Sequence, residues 1–277
     1  MKKRFKAPIL YFMVFLIAIS AICASCKQKP QTELMDFHAT MELKAPDPAV
    51  GKRPKILFVG NSHLFYNSIP TMFVNIVYSQ GYKSNVKELS YVYYTLKQYA
   101  DLEDKGGVLL DMALSNQNWD FVILQESTNN ALSSTATDEM FPPSRILDEK
   151  IKAAGAQSVF LMTWAPKDGM KIGMKKQNRE TVQSDLATSY MTIADELNAL
   201  MIPAGVAFMR CTEENPDIEL WDDDGLHSSL AGSYLTACIL YSVIYQESPE
   251  NCPYTGDLDK DVALKLQQTA AELVLNQ

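Results

Sequence analysis

The sequence predicts a three-layer α/β/α sandwich built on a central parallel sheet of about five strands. Three observations predict it. Short apolar runs recur at 56–59, 122–124, 159–163 and 202–208, with a weaker one at 86–92. Segments of helical length separate them, at 68–80, 95–115, 143–154 and 179–200. The strong runs are continuous rather than alternating, the pattern of strands buried on both faces, and strands separated by helices join in parallel. With 277 residues, 47% hydrophobic and 21% charged, the chain can bury one sizeable core.

Taken in order, the first element is not part of that core. Lys2, Lys3, Arg4 and Lys6 precede an uncharged run over 7–25 whose strongly apolar part is 9–22. That is too short for a spanning helix and suits a signal peptide. It ends in Cys23-Ala24-Ser25-Cys26, where small residues before a cysteine resemble a bacterial lipobox. Residues 1–25 are therefore expected to be a lipoprotein signal peptide, with Cys26 lipidated and the protein anchored in a bacterial cell envelope. Residues 26–54, polar and interrupted by Pro30, Pro46 and Pro48, are expected to be a tether. Residues 55–277 form the domain.

Within the domain, Pro70 fits the first turn of the helix at 68–80 and Gly81 follows its end. The helix at 95–115 is expected to break near Gly106-Gly107, and Gly155 closes the one at 143–154. The segment 228–245 is apolar nearly all round and is expected to be buried, with Ser228 or Ser229 as its N-cap and Ser248-Pro249 stopping it. An amphipathic helix at 258–275 finishes the chain.

The chain carries a formal charge of −8, and loss of four basic leader residues would leave 21 basic against 33 acidic, or −12. An acidic protein lacks the excess of Lys and Arg that a nucleic-acid backbone requires. Of five cysteines, Cys211, Cys238 and Cys252 lie in the body; an odd number cannot all pair, and none has metal-ligand spacing. No Gly-rich phosphate loop follows any strand, so neither a metal nor an organic cofactor is expected.

Two stretches carry chemistry. In "KILFVGNSHLFYNSIP" a core strand ends on Gly60-Asn61-Ser62 and a helix begins at once. A turn would need Gly and Asn for backbone reasons alone. The same corner would expose a serine hydroxyl at the carboxyl end of the sheet, where α/β folds bind ligands. In "WDDDGLHSSLAGSYL" Asp224 stands three residues before His227, a spacing at which a carboxylate can hold Nδ1–H and leave Nε2 free as a base. Alone, such a pair is ordinarily a surface capping arrangement. His38 lies in the tether and His63 adjoins Ser62, so among three histidines only His227 has a carboxylate at that spacing.

Gly60-Asn61-Ser62 near the start and Asp224-x-x-His227 near the end resemble the SGNH/GDSL hydrolase superfamily. "ILFVGNS", "ILQES" and "DGLHSSLAGSYL" are similar to an uncharacterised branch of it. The resemblance spans about residues 55–249. It implies a flavodoxin-like fold and an esterase with Ser62 as nucleophile, His227 as base and Asp224 orienting the base. It places the oxyanion hole at the Ser62 N–H and Gln125, with Asn129 and Asn130 as fallbacks. A backbone N–H of Tyr93 or Tyr94 stands where the superfamily usually has a glycine. Glu126 is expected as a supporting acceptor or a substrate contact, His63 as a pocket residue or a surface one, and Trp164 as a sugar platform or packing. The substrate implied is a small-molecule or glycan ester, an O-acetylated polysaccharide foremost. The alternatives are acyl transfer on the same triad and a non-catalytic glycan-binding lipoprotein.

Overall fold

The computed structural model of the protein describes residues 34–49 and 53–275. The expected leader and Cys26 lie outside the described residues. The first strand, β1 (Lys55–Gly60), leads into a one-turn helix α1 (Ser62–Phe65), a 3-10 turn (Tyr66–Ser68) and α2 (Ile69–Ser79). Next come β2 (Asn85–Ser90), α3 (Leu96–Ala100), α4 (Lys105–Asn116) and β3 (Phe121–Leu124). Two short helices, α5 (Thr128–Ala131) and α6 (Ser133–Glu139), precede α7 (Phe141–Ala153) and β4 (Gln157–Leu161). A hairpin of β5 (Met170–Ile172) and β6 (Lys175–Gln177) leads to α8 (Arg179–Leu197), β7 (Leu200–Ile202) and α9 (Ala204–Glu214). The last two helices are α10 (Leu230–Tyr245) and α11 (Lys260–Leu275).

The sheet is five-stranded and parallel throughout, in the order β2-β1-β3-β4-β7. Ile56, Leu57, Phe58 and Val59 are all buried, as a strand covered on both faces requires. Helices α2, α10 and α11 pack together in one group, and α3, α4, α7 and α8 in another. The weaker strand expected at 86–92 is the edge strand β2, whose exposed Lys87 and Glu88 discourage pairing with another chain. Strand order reverses at β1, since β2 lies on one side of it and β3 on the other. Ligands of such sheets bind outside the carboxyl ends of strands at that reversal. Ser62 follows β1 directly.

Two expectations about these elements need correction. The run at 202–208 is not a strand: β7 ends at Ile202, and Pro203 opens the buried helix α9. A short continuous apolar run fits a buried strand and a buried helix equally, and Pro203, without an N–H, ends the ladder and starts the helix. The helix at 95–115 breaks at 101–104, before its glycines, with Asp104 capping α4 through Gly106 N–H at 2.7 Å. Gly107 belongs to the first turn because a Cβ there would lie 1.8 Å from the Asp101 carbonyl. Neither α5, α6 nor the β5–β6 hairpin was expected.

The stretch read as a tether is docked on the domain from Met35 to Ala49. Phe37 and Met41 are buried, and Arg210 donates to the carbonyls of Phe37 and Ala39. Gln157 exchanges two hydrogen bonds with the backbone of Asp47, at 2.8 and 3.0 Å. A segment held by its backbone, with few apolar anchors, has no hydrophobic period to read. Among the described residues, no helix is long and apolar enough to cross a membrane.

Candidate active site

The corner after β1 is held from three sides. A Cβ on Gly60 would meet Gln125 Oε1 at 2.5 Å and Leu64 at 2.7 Å, so only glycine allows β3 and α1 this close. Asn61 N–H donates to Gln125 Oε1 at 2.8 Å, its side-chain amide donates to the Tyr94 carbonyl at 2.9 Å, and its Oδ1 accepts from His63 N–H at 3.2 Å. One buried Asn thereby ties together the ends of β1, β2 and β3. Ser62 is the first residue of α1, and its N–H is one of the donors a helix leaves without an intrahelical acceptor.

The opposing loop is a tight bend between Trp221 and Ser228, closed by Asp222 N–H to the His227 carbonyl at 2.9 Å and Gly225 N–H to the Asp222 carbonyl at 2.8 Å. Asp224 Oδ1 accepts the backbone N–H groups of Leu226 (2.8 Å) and His227 (2.9 Å), and Oδ2 meets His227 Nδ1 at 2.6 Å. Partial burial raises the Asp224 carboxyl, but the hydrogen bond from His227 and those two N–H groups outweigh it and hold it at about 2. His227 Nε2 lies 2.9 Å from Ser62 Oγ. Hydroxyl, imidazole and carboxylate therefore form one line, with the hydroxyl at the reversal point of the sheet and the imidazole's tautomer set by a charged acceptor.

The remaining candidates fall differently. Gln125 is fully buried with both ends of its amide engaged: Oε1 accepts from Asn61, and Nε2 donates to the Glu126 carbonyl at 2.6 Å. Full burial, with the amide folded back onto its own strand end by the extra methylene, keeps it from being the cleft-facing oxyanion donor the sequence suggested. Glu126 is also fully buried, accepting from Leu96 N–H (3.0 Å) and Ser127 N–H (2.6 Å), which makes it an anchor for the β2–α3 loop and not a substrate contact. Burial pushes its carboxyl to about 7 against the pull of those donors. Trp164 is fully buried, stacked on Phe208 at 4.4 Å, with Nε1–H donated to the Leu226 carbonyl at 2.9 Å. It braces the His227 loop and has no free face for a sugar.

His63 lies inside rather than on the surface, edge-on to Trp164 at 5.2 Å and 5.4 Å from the His227 ring. Burial first, then the neighbouring His227, lower it to about 4, with Asp224 opposing. Its buried Nδ1 has no hydrogen-bond partner among the described residues. Tyr94 N–H is taken by the Tyr91 carbonyl at 3.2 Å, which leaves Tyr93 of the two backbone candidates. Tyr93 has φ +62° and its side chain is almost wholly exposed. Asn129 and Asn130 lie on α5, with Asn130 N–H capped by Ser127. The sequence reading missed Asn61 as a three-way clamp and gave no role to Tyr66, whose ring stacks on His227. Among the described residues, no group of three or more His, Cys, Asp or Glu side chains is placed to hold a metal ion.

Neither a protein-family profile nor a curated protein matches the chain. Solved structures do. A candidate SGNH hydrolase from Slackia heliotrinireducens is similar over 69% of this chain and 98% of its own, at 27% identity and a TM-score of 0.60. A DUF4886 family protein from Bacteroides uniformis covers 80% of this chain and 95% of its own, at 16% identity and a TM-score of 0.66. An acetyl xylan esterase covers 68% and 98%, at 14% identity and a TM-score of 0.50. The last two are likenesses of fold. The chain has the α/β architecture of SGNH-hydrolase-like proteins.

Proposed function

We propose that this protein is a serine esterase in which Ser62 is the nucleophile, His227 the general base and Asp224 the residue that orients it. One observation carries the reading: Ser62 Oγ, His227 and Asp224 are linked at 2.9 and 2.6 Å across two distant parts of the chain. In the reaction, His227 Nε2 takes the hydroxyl proton as Oγ attacks the ester carbonyl, and the Ser62 N–H donates to the developing oxyanion. The tetrahedral intermediate collapses as His227 returns the proton to the departing alcohol. Water then repeats the sequence on the acyl-enzyme, with His227 again taking and returning a proton.

The substrate we propose is a neutral ester, an O-acetyl group on a glycan foremost. The carboxylates of Asp222, Asp223 and Asp224 sit in the loop beside the nucleophile, and the chain carries a net charge of −8, both of which repel anionic esters. Anchoring through a lipid on Cys26, in a cell envelope, would bring the site to such polymers. The sequence before Cys26 supports it.

A fluorophosphonate probe tests the reading. Wild type should be labelled covalently, Ser62→Ala not at all, and His227→Ala strongly less. Acetate release from acetylated glycans would then test the substrate class, and appearance of the acyl group on an added alcohol would mark transfer in place of hydrolysis. One observation favours a second reading, a glycan-binding module without turnover: the amide expected to complete the oxyanion hole, Gln125, is fully buried and turned onto Asn61 and the Glu126 carbonyl. A folded but unlabelled wild type would favour it.

A further inference from the structure

The sequence Asp222-Asp223-Asp224 offers three carboxylates, and the proposed triad uses one. The triad's imidazole has a second neighbour, on its face rather than at its edge. The Tyr66 ring lies on the face of His227 with centroids 4.3 Å apart and planes 17° from parallel. Asp222 foremost, then partial burial and the charges of Asp224 and Asp223, raise the Tyr66 phenol above its usual range.

The stack is built at a cost. Tyr66 N–H donates to the Ser62 carbonyl, which pins the aromatic residue to the nucleophile's own turn. Asn67 and Ser68 follow with φ of 53° and 55°, two consecutive non-glycine residues in the left-handed region, each costing on the order of 1 kcal/mol. Asn67 Nδ2 reaches across to the Ser228 carbonyl at 2.9 Å and to Ser233 Oγ at 3.2 Å. The strained turn is thereby clamped to the residue that follows His227. Strain of this kind persists where the surroundings hold it, and it gathers at functional sites.

We propose that Tyr66 is a positioning residue for His227: its ring face stabilises the imidazolium that forms when Ser62 loses its proton, and the turn clamped by Asn67 fixes the ring in that place. A cation over an aromatic face is attracted by the ring quadrupole. The two contacts divide the work. Asp224 meets the imidazole at Nδ1, and Tyr66 covers its face. The other groups near His227 are Ser62 at Nε2, His63 at 5.4 Å between rings, Asp223 behind Tyr66, and Lys167, whose Nζ is paired with Glu219 at 2.5 Å. The timing of the proton transfer rests on the esterase reading; the stack does not.

The test is an NMR titration of the three histidines in detergent-solubilised full-length protein, with kcat and KM for a small acetate ester measured alongside. Tyr66→Leu should lower the His227 midpoint by about half a unit, and kcat by about three- to tenfold with KM changed less than about twofold. Tyr66→Phe, which keeps the ring, should hold the midpoint within about 0.2 unit and recover most of the rate. A Tyr66→Leu midpoint equal to wild type, or a Tyr66→Phe midpoint displaced as far as that of Tyr66→Leu, overturns the proposal. The titration needs no turnover. A shifted midpoint in a protein that cleaves no ester sinks the esterase reading and leaves the stack standing; intact turnover with no shift does the reverse.

Discussion

The side-chain amide of Asn61 donates to the backbone carbonyl of Tyr94 at 2.9 Å, joining the residue before the nucleophile to the loop that follows β2. With its other two bonds, to Gln125 and His63, Asn61 sets the distance between Ser62 and the Tyr93 backbone. Asn61→Ala keeps the backbone bond to Gln125 but leaves the Tyr94 carbonyl and the His63 N–H without their side-chain partners. The expected loss is about 1–3 kcal/mol of stability, read from urea unfolding, with kcat down tenfold or more. Full activity in a destabilised variant would reduce Asn61 to a structural turn residue.

Asp224→Asn separates orientation from charge. The amide oxygen can still accept from the Leu226 and His227 backbone, so the loop should keep its shape. The amide's NH2, however, faces Nδ1, which then serves as acceptor and moves the imidazole proton to Nε2, the wrong tautomer for a base. Rate losses of about 100- to 10,000-fold in kcat follow from such a swap, with little change in the unfolding midpoint. Kinetics on a nitrophenyl ester measures it, and a loss under about fivefold would remove Asp224 from the proposed machinery.

What the sequence made legible was local. Ser62 could be found because a buried strand, a Gly-Asn corner and a helix start stand in unbroken succession, and the Asp224–His227 contact because three residues of separation place two side chains together. Gln125, Glu126 and Trp164 were located correctly at strand ends, but their roles depend on which way each side chain turns. A strand end presents core and cleft directions on successive residues, and one methylene decides whether an amide reaches the cleft or folds back on the chain. Tyr66 on His227 was not legible at all, since that contact depends on a strained turn and a clamp from a distant helix.

Tyr93→Gly tests the loop beside the nucleophile. Tyr93 takes φ +62° in a turn closed by Tyr94 N–H to Tyr91, where glycine is the residue without steric cost. Relief of left-handed strain, about 1–2 kcal/mol, exceeds the extra chain entropy of glycine, roughly 0.5–1 kcal/mol. The variant should therefore unfold at a slightly higher urea concentration than wild type. Its exposed ring is lost at the same time, so a rise in KM with kcat retained would identify the tyrosine as a substrate contact held at the expense of stability.

The last prediction concerns two buried groups whose effects oppose one another. His63 is lowered from 6.5 to about 4, first by burial and then by His227. Between those values the unfolded chain holds a proton that the folded chain refuses, so this group makes stability fall as the pH falls from 6.5 toward 4. Glu126 is raised from 4.5 to about 7, by burial against its backbone donors. Between those values the folded chain holds a proton that the unfolded chain has released, so this group makes stability fall as the pH rises from 4.5 toward 7. Each slope is at most about 1.4 kcal/mol per pH unit, and from 4.5 to 6.5 the two largely cancel. Each single variant should expose the other's slope. His63→Phe, which keeps an aromatic ring against Trp164, should lose stability as the pH rises through that window, and Glu126→Gln should gain it. Urea midpoints taken at half-unit steps measure both. Parallel slopes in the two variants would show that these groups do not govern the acid limb of stability.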